Sequence, residues 1–419
     1  MKRTIGAVSR YLYVIRDELR ALVCDGGVML IMFGAIFIYS TLYTLVYRNE
    51  VVRSVPIAVI DYDGTAASRA FVRDLDASPN VEVAYEPVDM ESARELFYGR
   101  EIYGVVVVPR DYAKSVSTGE QAVVSIYADA SYFLMYKQLF AAAASTIAYN
   151  NIKIESAKFM AAGMDRRSAV ALADPVEVKT TKLYNRVEGY ATFVMPAIMV
   201  LILQQTLLIG IGMRGGTMTE KGQWSRYVRG GRRFSSSLVL AGKCSAYLLF
   251  AATVGLLVYG IYYKLLGYPW RGNDLDTVLF MLPYILSVIF LGLGISVSFR
   301  YRETAIVTLV AWSVPFLLLS GVSFPMEGMP SWLYSAGQIL PSSPAINGYI
   351  RLNVMGASLG DVMQEYLWLW VLTIVYFCFA VLMMHLKFRR LDEALAGDAT
   401  PCGAEDDRSV REDKTELVL

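Results

Sequence analysis

Six long apolar stretches break up the chain, and their spacing is uneven. The first covers residues 28–46. The other five, at 190–212, 237–265, 278–297, 304–322 and 366–386, follow only after a polar stretch of domain size. A helix of about 20 residues crosses the roughly 30 Å apolar core of a bilayer, so each stretch predicts a membrane-spanning helix. The third is long enough to tilt. Residues 28–46 outrun the apolar core of a signal peptide and lead into no small-residue cleavage site, which predicts a retained helix. Ahead of them the period changes. Ile5, Val8, Tyr11, Leu12, Ile15, Leu19 and Leu22 recur at helical spacing, while Arg10, Arg16, Asp17, Glu18 and Arg20 lie largely off that stripe. This predicts an amphipathic helix lying in the membrane interface.

The polar stretch alternates strand-like and helix-like patterns. Residues 55–60, 81–84, 103–108 and 122–128 read as strands, and 66–75, 89–98, 131–160 and 165–172 as helices, with Asp89 as an N-cap. Residues 176–183 read as a further strand returning to the membrane. Strands alternating with helices predict an open α/β sheet. The expected fold class is therefore an α-helical polytopic membrane protein with six transmembrane helices and an inserted α/β domain.

Composition agrees: 55% of residues are hydrophobic and 18% charged, against about 25% charged in soluble domains. The net charge of +1 conceals a segregation. Lys2, Arg3, Arg10, Arg16 and Arg20 precede the first span. Arg214, Lys221, Arg226, Arg229, Arg232 and Arg233 follow the second, Arg300 and Arg302 the fourth, and Lys387, Arg389 and Arg390 the sixth. These alternate loops are all basic and belong on the cytoplasmic side. The expected division is a cytoplasmic amphipathic helix at 1–27, a first transmembrane helix at 28–47, and an extracytoplasmic α/β domain at 48–189. A five-helix transmembrane domain at 190–390 and a disordered cytoplasmic tail at 391–419 complete it. Both termini lie inside, in a multi-pass protein of the cell (inner) membrane.

Candidate chemistry is sparse. Cys24, Cys244, Cys378 and Cys402 have no metal-ligand spacing, and none falls in the polar insert. The single histidine, His385, sits at the end of the last span, so the insert has no histidine-dependent triad and few routes to a zinc site. Asp61 and Asp63 end the first strand; they read as turn and cap residues rather than cation ligands. No catalytic, cofactor-binding or metal site is expected, and no nucleic-acid partner. An intramembrane enzyme would need polar catalytic groups at matching depth, and none is present. Lys243 and Glu303 lie near span ends where water or headgroups are in reach.

Two loops suggest mechanical work. In 213–236 the paired glycines Gly215 and Gly216 are expected to break the membrane helix. Thr217 or Thr219 would then cap a short amphipathic helix over 220–228, which offers Glu220, Trp224, Arg226 and Tyr227 to a partner. At 323–362 the apolar pieces 331–340 and 345–352 are too short to span, so this segment reads as re-entrant near the mouth of a path. Gln204, Gln205, Thr206, Ser313 and Ser320 are polar groups within spans. They are candidates to line that path, or to hydrogen-bond between helices.

Several local sequences, in order, resemble the permease subunit of type-2 ABC exporters, in the branch with a large extracytoplasmic domain between the first two spans. The segment from Val55 to Arg69 is similar to that branch's strand, Asp-x-Asp and Ser-Arg pattern, and Tyr103 to Pro109 to its next strand. Arg214 with Gly216 and Thr217 is similar to its charged Gly-Thr loop, and Gly242-Lys243 to the opening of its following helix. Gly321 to Pro325, Met329-Pro330 and Leu340-Pro341 are similar to its paired outer re-entrant helices. Asp25-Gly26 departs from the family's usual Asp-Pro. The resemblance implies a pair of permease subunits, alike or different, around a central path through which substrate leaves outward, and the few charges within the spans fit an apolar or amphipathic substrate. It implies a separate ATPase subunit carrying ATP and magnesium, since this chain has no phosphate-cradling Gly-rich motif. It also implies coupling through Arg214, Gly216, Thr217, Glu220, Trp224, Arg226 and Tyr227, and an outer gate at Phe324, Pro325, Pro330, Trp332 and Pro341. A periplasmic adaptor could meet the α/β domain. The alternative is a membrane sensor or scaffold whose α/β domain binds a ligand or partner. The short tail, with no core-forming pattern, weighs against an output domain.

Overall fold

The computed structural model describes residues 2–228, 234–268 and 270–397. Arg229, Arg232 and Arg233 of the basic loop, Cys402, and the expected disorder of the tail after residue 397 lie outside them. The chain divides into two compact units, Asn49–Glu188 and Met1–Arg48 with Gly189–Leu419.

The smaller unit is a four-stranded sheet in the order β2-β1-β3-β4. Strands β1 (Val55–Asp61), β2 (Val81–Tyr85) and β3 (Gly104–Val108) run parallel, and β4 (Ser125–Ala128) runs antiparallel to β3. β1 lies in the middle with both faces covered, which explains its unbroken apolar run. Ile57 and Val59 join Phe71, Leu75 and Leu139 on one face, while Ala58 and Ile60 join Ala93 and Ile102 on the other. The first face is covered by helices Ala66–Asp76 and Phe133–Ala161, the second by Met90–Tyr98.

The capping chemistry read from the sequence is in place. Thr65 and Ser68 form a capping box, and Asp89 Oδ1 accepts from Ser92 N at 2.9 Å. Asp61 accepts from the Asp63 and Gly64 amides and from Ser68 Oγ, and Asp63 from Thr65 Oγ1 and Ala113 N. Their oxygens are thus engaged within the turn. Two local expectations fail. Residues 176–183 form no strand; apolar alternation makes a strand only where a sheet edge accepts it. Tyr112–Thr118 is a helix that the pattern did not announce.

In the larger unit α1 (Lys2–Cys24) precedes, among the described residues, six helices long and apolar enough to cross a membrane. They are α2 (Gly26–Val46), α3 (Tyr190–Glu220), α4 (Ser236–Leu265), α5 (Asp274–Ser296), α6 (Arg302–Leu319) and α7 (Leu359–Ala394). α3 is buried along most of its length and packs against α2, α5 and α6, whereas α6 is buried along little of its own. Helices α3 and α7 outrun their apolar stretches. Hydropathy marks the immersed part of a helix, while its hydrogen-bond ladder continues into polar sequence.

Gly215 and Gly216 do not break α3. A Cβ on Gly215 would come within 2.5 Å of the Ser296 carbonyl oxygen, and one on Gly216 within 2.5 Å of the Tyr301 carbonyl oxygen. The pair lets α3 approach the backbone joining α5 to α6, the use membrane helices make of small residues. The short pieces after α6 are helices Ser331–Ile339 and Ser342–Tyr349, begun by Pro330 and Pro341, whose rings preset φ.

Candidate functional site

The densest chemistry lies where α3 ends, against α1 and the start of α4. Every fourth residue of α1 turns inward there: Val14, Glu18 and Leu22 are all fully buried. Glu18 carries a charge into that interior and meets three partners. Its Oε2 lies 2.6 Å from Lys243 Nζ and 3.7 Å from Arg214 Nε, and its Oε1 accepts from Tyr247 Oη at 2.8 Å. Burial opposes ionisation of Glu18, but Lys243, Arg214 and the Tyr247 hydrogen bond more than offset it and hold the carboxyl below its ordinary range.

Lys243 is only 2% exposed. It does not reach water or headgroups, contrary to the expectation from its place in the span. Its ammonium sits 5.3 Å from the centre of the Trp224 ring. Glu303, by contrast, is exposed as expected.

The loop beyond α3 is folded onto this cluster. A 3-10 turn, Gln223–Tyr227, replaces the expected amphipathic helix. Trp224 and Tyr227 are buried, so they are not the surface a partner would meet. Trp224 Nε1 donates to Thr219 Oγ1 at 3.1 Å, and both rings lie against Phe388 of α7. Arg214 Nη1 donates to Gln223 Oε1 at 2.9 Å, Arg226 grips both oxygens of Asp17, and Thr217 Oγ1 bonds back to Met213 O. Of the residues singled out in this loop, Glu220 and Arg226 keep an exposed face.

A second ion pair closes the same end. Arg302, at the start of α6, makes two bonds of 2.6 and 2.7 Å to Asp25, whose Oδ1 also caps the Gly27 and Val28 amides. Partial burial opposes ionisation of Asp25; the Arg302 and backbone bonds outweigh it and lower its pKa. Asp25→Ala removes the cap and the ion pair together. The expected cost is about 1–2 kcal/mol, read as a lower apparent Tm of the purified chain, with Arg302→Gln costing less because the cap survives.

The mid-span candidates do not form one cluster. Gln204 Nε2 donates to Ser342 Oγ at 3.2 Å, joining α3 to the second short helix, while both polar atoms of the Gln205 amide lack a partner. Thr206, Ser313 and Ser320 return their hydroxyls to their own helix backbones. Of the expected gate residues, Phe324 and Trp332 are exposed. Pro325 precedes a short 3-10 turn, Met326–Gly328, and Pro330 and Pro341 start the two short helices.

Glu18 is the residue that sequence reasoning missed. Its signal was present: it stands four residues from both Val14 and Leu22, and Lys243 is one of two lysines in the third apolar stretch.

A family profile described as "ABC-2 family transporter protein" matches residues 27–382. The chain is 24% identical over 366 residues to the Linearmycin resistance permease protein LnrN of Bacillus subtilis, covering 80% of this chain and 88% of that one. It is also 24% identical over 192 residues to the Probable multidrug ABC transporter permease YbhR of Escherichia coli, covering 46% of this chain and 51% of that one.

Proposed function

The chain belongs to the ABC-2 family of transporter proteins and is a membrane permease subunit of an ABC transporter, and on that premise we propose that it exports an apolar or amphipathic substrate under the power of a separate ATPase subunit. Two permease subunits would pair around a path, and both termini and the α3–α4 loop would face the cytoplasm, as the basic loops direct. The unit Asn49–Glu188 would then lie outside, open to an adaptor.

The observation that carries this reading is the buried Glu18 hub. It joins α1, α3 and α4 through hydrogen bonds and ion pairs at the end where α3 finishes. An ATPase pressing on α1 or on the exposed edge of the loop would move these helices together, because none can shift without breaking a buried ion pair. Glu220 is exposed at the end of α3, where such a partner would bear on it. Arg226, tied to Asp17, links the loop to α1 at the surface. Trp224 and Tyr227 would transmit rather than receive the push. Gln205, with an unpaired amide in a membrane-spanning helix, would contact substrate, and Gln204 would tie the path to the short outer helices. Phe324, Pro325, Pro330, Trp332 and Pro341 would form the outer gate.

Co-reconstitution with the ATPase subunit in proteoliposomes tests this. ATP turnover is expected to rise in the presence of the chain. Glu220→Ala should reduce that stimulation about fivefold or more, the low end of ordinary coupling between sites, with little change in Tm. Turnover indifferent to the presence of the chain would refute the coupling.

A further inference from the structure

Between α4 and α5 lies a cavity of about 400 Å3 that plays no part in the coupling scheme. Its lining on α4 runs from Leu248 to Lys264, about 24 Å at helical rise, so it is long and narrow. Most of its wall is aliphatic. Leu256 and Val278 border it and are themselves exposed, so the cavity opens onto the outer surface of these two helices. Part of this stretch, Leu256–Tyr262, is wound as π-helix, a local widening often found at functional positions. Gly255 opens the wall further: a Cβ there would meet nothing within 4 Å.

The polar groups are graded along this length. At one end, Trp270 holds Lys264 Nζ 5.3 Å from its ring centre and donates its Nε1 to Asp274 Oδ1 at 2.7 Å. One indole thus holds a cation at its face and a carboxylate at its edge, and no carboxylate among the described residues pairs with Lys264. Five residues deeper on α4, about 7 Å away, stands Tyr259, with Tyr349 against it. Both rings line the cavity, both are more than nine-tenths buried, and neither hydroxyl has a hydrogen-bond partner. Their hydroxyl oxygens are enclosed in the wall, so it is the rings that face the cavity.

We propose that this groove binds one acyl chain of a phospholipid with a primary ammonium headgroup, phosphatidylethanolamine. Its phosphate meets Lys264 and its ammonium Asp274. The acyl chain passes the two tyrosine rings and follows the aliphatic wall. The order of groups in the lipid matches the order in the cavity, and the facing charges favour a zwitterion over a purely anionic lipid. The inference rests on the membrane placement of α4 and α5, not on the ATPase coupling, so the two fail separately.

Native mass spectrometry of the full chain in detergent, with phosphatidylethanolamine and phosphatidylglycerol added in equal amounts, tests it. The expected result is at least fivefold more of the phosphatidylethanolamine adduct. Gly255→Leu, which grows into open space, should remove most of that adduct. Asp274→Asn, at an exposed position, should abolish the preference without affecting folding. Equal or greater binding of phosphatidylglycerol to the unaltered chain would overturn the proposal, as would a preference unchanged in Asp274→Asn.

Discussion

Glu18→Ala is expected to destabilise the membrane unit by about 3–5 kcal/mol, the usual cost of removing one member of a buried ion pair. The substitution leaves the Lys243 ammonium without a carboxylate in an environment it cannot leave, and it takes from Tyr247 its acceptor. Arg214 suffers less, because it keeps its bond to Gln223. Lys243→Met should cost less than Glu18→Ala, since Glu18 retains Arg214 and Tyr247. The double variant Glu18→Ala with Lys243→Met should lose less than the sum of the two single losses, because no lone charge stays buried at that pair. Apparent Tm by fluorescence-detected size exclusion ranks the three. Additive losses would show that the pair is not a unit.

The same residue sets a pH dependence. The folded Glu18 carboxyl lies below its ordinary value, about 4.3 in an unfolded chain. Its contribution is therefore complete above that value and is lost as pH falls through the lower, folded one. An apparent Tm insensitive to Glu18→Gln at neutral pH would contradict this.

Gly216→Ala is expected to be the second most damaging change, and its sign is informative. Within a helix, replacing glycine by alanine usually gains about 1 kcal/mol. Here the new Cβ would lie 2.5 Å from the Tyr301 carbonyl oxygen and 2.9 Å from Arg302 Cα. These are backbone atoms that cannot rotate away, so α3 must withdraw from the α5–α6 connection. Overpacking of this kind costs about 1–3 kcal/mol. The withdrawal also pulls on Arg302, the partner of Asp25. Gly255→Ala, in the same kind of helix but facing open space, is the control and should be neutral or stabilising. Similar Tm changes in the two variants would remove the packing explanation for the glycine pair.

What could be read from the residues alone divides along physical lines. The spans were legible because about 20 consecutive apolar residues permit few alternatives. β1 was legible because a strand covered on both faces is apolar throughout, and the Asp61 turn because its acceptors serve neighbours within seven residues. Glu18 was only partly legible: its four-residue spacing from Val14 and Leu22 marked a buried face, but the partner that pairs with it there lies 225 residues away. Amphipathic periodicity assigned it to the polar side of α1, while the structure buries it between two leucine-like positions. Trp224 and Tyr227 misled for a related reason: aromatic residues in a short loop read as a presented surface until Phe388 of α7 is found beside them. Gly215 and Gly216 read as helix breakers because a sequence shows their conformational freedom and not the backbone they approach.

The proposed direction of transport depends on which flank of the membrane each unit occupies. With Cys24, Cys244, Cys378 and Cys402 replaced, single cysteines at two exposed positions, Ser131 of the α/β unit and Lys221 just after α3, decide it by reaction with a membrane-impermeant maleimide on intact cells. The account predicts labelling of Ser131→Cys at once and of Lys221→Cys only after permeabilisation. Labelling of Lys221→Cys alone on intact cells would place the Glu18 end of the bundle outside, beyond the reach of any ATPase, and would contradict it.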